Sequence, residues 1–214
     1  MKIRLLVFFV TVLGLCACSS MYYGAMEKAG FHKRDIMVDR VKAARDTQNE
    51  AKQQFLTAME QFRSVVNFKG DDLEKEYDKL NATLKKSEAE AAAVHDRISA
   101  VENVSEALFK EWRTELKQYS SDALRKSSQR KYDATMAKYK VLIASMKKAE
   151  AKLEPVLVPL RDQVLFMKHN LNAKAIAGLS SELVSVQTNV DRLIHDMDIA
   201  IAQADKFIDE LQKE

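Results

Sequence analysis

From residue 37 onward, apolar side chains recur at alternating intervals of three and four, the spacing that lines one face of an α-helix. The first seam runs Met37, Val41, Ala44, Gln48, Ala51, Phe55, Ala58, Phe62 and Val65, with Gln48 its one polar member. Asn67-Phe68-Lys69-Gly70 ends it, and Gly70 is expected to take the left-handed conformation that closes a helix. Asp71, Asp72, Glu74 and Glu76 follow, placing carboxylates at the positive end of a second helix. Its seam is Leu73, Tyr77, Leu80, Leu84, Ser87, Ala91, Val94, Ile98, Val101, Ser105, Leu108 and Trp112. Asn103 and Glu106 resemble a capping box, but the register continues across them, so one helix to Lys117 is expected.

Tyr119-Ser120-Ser121-Asp122 reads as a turn and cap. A third seam follows: Met136, Tyr139, Ile143, Met146, Glu150, Leu153, Leu157, Leu160, Val164, Met167 and Leu171. Pro155 and Pro159 lie inside it, and each costs about 3 kcal/mol in a helix interior. Because the spacing survives on both sides, a kinked helix is expected; the alternative is that Pro155 starts a new helix in its first turn. His169-Asn170-Leu171-Asn172 forms the last corner. The fourth seam is apolar throughout: Ile176, Leu179, Leu183, Val186, Val190, Leu193, Met197, Ala200, Ala204, Phe207 and Leu211. Ile194, Ile201 and Ile208 widen it to a stripe suited to a bundle core. The exposed flank residues Leu56, Met59 and Val66 offer a second seam to another copy.

The expected fold is therefore all-α: an elongated, coiled-coil-like antiparallel bundle of four long helices, roughly 31–67, 71–117, 121–169 and 173–212, in one domain covering 31–214. A helix of about 45 residues is ~70 Å long, so the object is a rod. Composition agrees, since 5 Gly and 2 Pro in 214 residues leave little for turns. Charged residues make up 30% of the chain, yet the net charge is only +3, which argues for solvated helix faces and against a nucleic-acid binder.

The first residues change where such a rod belongs. Met1-Lys2-Ile3-Arg4 is followed by an apolar run from Leu5 to Leu15, eleven residues long and too short for a membrane span. Leu15-Cys16-Ala17-Cys18 then resembles the lipobox of bacterial lipoproteins, whose cysteine is acylated and becomes the first mature residue. That resemblance implies a signal peptide over 1–17, lipidation of Cys18 and a tether over 18–30. Cys16 is an unusual occupant of its position, and an ordinary cleaved signal with two incidental cysteines is the alternative. Cleavage before Cys18 leaves one thiol, so no intramolecular disulfide can form, and thioether linkage would remove that lone reactive group. Ser19, a non-aspartate after the cysteine, implies outer-membrane sorting in Gram-negative lipoproteins.

Candidate chemistry is sparse. His32, His95, His169 and His195 never fall three to five apart, so no helix face offers paired metal ligands, and neither a metal nor another cofactor is expected. His95-Asp96 and His195-Asp196 are adjacent in sequence but point about 100° apart on a helix. There is no phosphate-binding glycine loop or nucleophile elbow, so no catalytic residue is assigned and an enzyme is not expected. Residues 113–152 carry eleven Lys or Arg against four acids, and residues 178–214 carry eight acids against three bases. Either the two helices complement each other across their seam, or the basic face meets anionic lipid. Trp112, Tyr77, Tyr119, Tyr132 and Tyr139 read as core or seam-edge aromatics.

The stretch from Asp162 to Ala173, with Leu108-Phe109-Lys110-Glu111-Trp112 and Leu153-Glu154-Pro155-Val156-Leu157, resembles a family of small Gram-negative lipoproteins defined only as a domain of unknown function. It implies an all-helical exported protein and carries over no catalytic residue. The function expected is a lipid-anchored, non-enzymatic periplasmic scaffold or adaptor with an envelope protein partner, and homo-oligomers are open to it. The competing expectation is a membrane-surface protein laying the 113–152 face on anionic lipids.

Overall fold

The computed structural model describes residues 32–70, 72–171 and 173–213. Five helices are present: α1 (Lys33–Val66), α2 (Leu73–Glu115), α3 (Asp122–Glu150), α4 (Leu153–His169) and α5 (Ala173–Lys213). Helices α1 and α2 pack against each other, α5 packs on α1, and α3 and α4 each contact both α2 and α5. Together α3 and α4 fill one corner of a four-cornered bundle.

Cross-helix pairs set its direction. Lys33 meets Glu111 at 2.9 Å, Gln54 donates to Ser87 Oγ at 3.2 Å, and Gln61 donates to Glu76 at 3.2 Å, so α1 and α2 run antiparallel. Arg45 with Asp205 at 2.8 Å and Lys52 with Asp198 at 2.7 Å reverse α5 against α1 in the same way. The two α1–α5 pairs are seven residues apart on each helix, the repeat at which a helix face returns to its neighbour. At 43 residues, α2 is about 65 Å long.

The core is made by the apolar seams. Every residue of the first seam is buried, including Gln48, whose amide finds no protein partner. A buried polar group left without a hydrogen bond costs about 1–3 kcal/mol. In the fourth seam Leu179, Val186, Leu193, Met197 and Ala204 are fully buried, while Ile176 and Leu183 are partly buried against the core. Met59 belongs to the core and Val66 packs against it, which leaves Leu56 alone exposed and corrects the expected second seam.

The third arm departs most from expectation. It is not one helix over 121–169: α3 ends at Glu150, Ala151 and Lys152 form a tight turn, and α4 restarts at Leu153. Pro155 sits in the first turn of α4, where a missing N–H removes no helix bond. Pro159 is interior, so the carbonyl of Pro155 loses its usual donor. Asn189 of α5 supplies one instead, its amide donating to that carbonyl at 3.2 Å. The buried face stays continuous through Met146, Ala149, Leu153, Val156 and Leu160, which is why spacing alone did not reveal the restart. In α3 that face centres on Tyr132, Thr135 and Leu142, while Met136, Tyr139 and Ile143 pack at its edge.

Caps also differ in detail. Asn67 and Asn170 close α1 and α4, each turning its amide back to the carbonyl four residues earlier, at 2.9 and 3.0 Å. Gly70 does not take the left-handed conformation. A Cβ there would lie 2.7 Å from the tip of the Phe68 ring, so a larger residue would require that ring to shift. Asp72 and Ser121 cap α2 and α3 through bonds from Lys75 and Leu124.

Candidate functional site

The antiparallel order gives the rod two distinct ends. His32 begins the described chain beside the last turn of α2, where Lys33 grips Glu111 and Arg34 donates to the Leu211 carbonyl of α5. The ends of α1 and α4, at residues 67–70 and 170–171, lie at the opposite end. Cys18, the expected signal segment over 1–17 and the expected tether over 18–30 lie outside the described residues; the described chain begins at the α2–α3 end of the bundle.

At that proximal end α3 overhangs. None of residues 122–131 is buried, and Tyr132 is the first side chain of α3 to enter the core. An aromatic group fastens the overhang to α2: Trp112 donates to Ser128 Oγ at 2.9 Å and meets Tyr132 edge-on at 5.7 Å, and Phe109 meets Tyr132 likewise. Edge-on rings of this kind add about 0.5–1.5 kcal/mol beyond their area. Tyr119 is not a seam-edge residue but 39% exposed, and Leu124 is 59% exposed.

Between the end of α2 and the start of α3 lies a groove of about 790 Å³ lined by Lys110, Arg113, Lys117, Arg125 and Lys126, with no acid among its lining residues. Arg125 has a partner in Asp122 at 2.6 Å, and Arg113 reaches the Tyr132 hydroxyl at 3.5 Å. Lys110, Lys117 and Lys126 make no ion pair among the described residues. Farther along, the basic stretch is neutralised: Lys138 pairs with Glu210, Lys147 with Glu102 at 2.5 Å and Lys148 with the buried Asp196 at 2.9 Å. The Glu102 carboxylate holds Lys147 protonated above its usual range. The 113–152 region is therefore two surfaces, a paired one against its neighbours and an open one at the proximal end.

The four histidines are exposed and separate. His95 takes Glu150, not its sequence neighbour Asp96, as partner at 2.6 Å, and the hydrogen bond to that carboxylate raises the imidazole above its ordinary value. Lys148, not His195, engages Asp196. Arg161 bridges Glu88 of α2 at 2.5 Å and Glu154 of α4 at 2.9 Å, which lowers the Glu154 carboxyl. Among the described residues, no group of three or more His, Cys, Asp or Glu could hold a metal ion. No described helix is long and apolar enough to cross a membrane.

Sequence reasoning missed the proximal groove because its cations come from two helices and only folding separates them from the paired lysines. The excess of charge after residue 113 was the available signal. No curated protein matches the sequence. The family model described as a protein of unknown function, DUF2959, matches residues 22–211, which takes in all of α1 to α4 and nearly all of α5. The chain belongs to the DUF2959 family.

Proposed function

We propose that this protein is a lipid-anchored, non-enzymatic rod of the bacterial cell envelope, held at the periplasmic face of the outer membrane through acylated Cys18 and acting as a scaffold or adaptor for another envelope protein. The observation that carries the reading is the polarity of the bundle. The chain from Cys18 reaches the proximal end, while both corners of the distal end lie about a helix length away. Leu165, Phe166 and Leu171 are exposed at that distal end and offer apolar contacts to a partner. Radiolabelled palmitate should enter the wild type and be lost in Cys18→Ser; retained label would overturn the anchor. A photo-crosslinking residue at Leu165 should capture a discrete envelope protein in living cells, and capture of none there or elsewhere on the distal end would overturn the adaptor role.

A second reading has its own support. The open cations of the proximal groove favour contact with anionic lipid, although the pairing of Lys138, Lys147 and Lys148 argues against laying the whole of α3 on a membrane.

A further inference from the structure

We infer that the proximal groove is a binding site for the phosphate of an anionic phospholipid headgroup, and that occupying it stands the rod upright on the membrane. The inference rests on the anchored reading for the presence of lipid at this end. Five cations converge there from α2, the turn after it and α3; no acid is among the lining residues, and Asp122 pairs with Arg125 alone. Arg113 and Lys117 are explained by the helix dipole, because cations favour a C-terminus such as that of α2. Arg125 and Lys126 are not. They stand near the start of α3, where the dipole disfavours positive charge, and Asp122 compensates only Arg125. An anion in the groove stabilises all of them at once. Charge complementarity selects its sign, and residues next to the cations in sequence select its source: Leu124 precedes Arg125 and Tyr119 follows Lys117 by two positions, exposed apolar and amphipathic side chains of the kind that settle at a membrane interface. A soluble phosphate has no use for them.

Trp112 supplies the readout, being the only tryptophan in the chain and packed on Tyr132 at the groove wall. Full-length protein in neutral detergent micelles is titrated with phosphatidylglycerol, with phosphatidylcholine, and with inorganic phosphate. Phosphatidylglycerol should give a saturable change in Trp112 emission that added salt weakens. The triple variant Lys117→Gln/Arg125→Gln/Lys126→Gln should bind on the order of a hundredfold more weakly, at about tenfold or less per surface cation. Its far-ultraviolet dichroism should match the wild type, because all three side chains are exposed. Lys147→Gln/Lys148→Gln should retain affinity. An equal response to phosphatidylcholine, full binding by the triple variant, or reproduction of the response by inorganic phosphate would each overturn the inference. Micelles make the acyl chain dispensable, so this titration and the palmitate label fail independently.

Discussion

The two ends of the rod are built on opposite terms. At the distal end Phe62, Val65 and Met167 are buried within a turn or two of the corners, and Asn67 and Asn170 satisfy helix carbonyls. The Phe68 and Phe166 rings lie against Gly70 and Gly178, where a Cβ would crowd them. At the proximal end residues 122–131 of α3 send no side chain fully into the core and like charges share a groove. The bundle is held by its body and its distal corners, and its proximal surface is free to be shaped by something outside the fold.

Truncations to alanine at the two ends give the sharpest test of that contrast. Phe62→Ala should cost about 3–5 kcal/mol in urea unfolding, whereas Leu124→Ala should stay within about 0.5 kcal/mol. Comparable costs would erase the distinction. Caps come next: Asn67→Ala and Asn170→Ala should each lose on the order of 0.5–1 kcal/mol. Ser121→Ala should lose less, because its bond to the Leu124 amide spans 3.4 Å. Amide hydrogen exchange should show residues 122–131 opening before the remainder of α3, and uniform protection along α3 would mean the overhang is locked.

The smallest effect concerns the far limit of α3, where His95 meets Glu150. The folded imidazole titrates above its ordinary 6.5, so the pair contributes below the unfolded pKa and fades as pH rises through the folded one. His95 is exposed, and the pair adds little to stability. Nuclear magnetic resonance should place its midpoint above 6.5 and find it lowered in Glu150→Gln. An unchanged midpoint would remove this tie from the junction.

Much of this architecture is legible in the order of residues, because burial on a helix leaves a periodic trace. Phe55 and Leu193 could be assigned to the core from spacing alone. The restart at Ala151–Lys152 could not, since a tight turn in right-handed backbone preserves the apolar register through Met146 and Leu153. The groove was half legible. Counting lysines located the basic region, but whether a lysine is open or paired depends on which acid the neighbouring helix brings beside it. Glu102 and Asp196 are distant in sequence from the lysines they neutralise, and nothing local marks them.

The bond between Asn189 and the Pro155 carbonyl also bears on the order in which the chain assembles. A nascent chain that ends before α5 contains α4 with a carbonyl that no residue of its own helix can satisfy. Until the last segment arrives water fills that place, because the bond lies at the exposed surface. Arrival of α5 exchanges the solvent bond for a protein one, so the prolines give the third and fourth arms a contact that an unbroken helix would not offer.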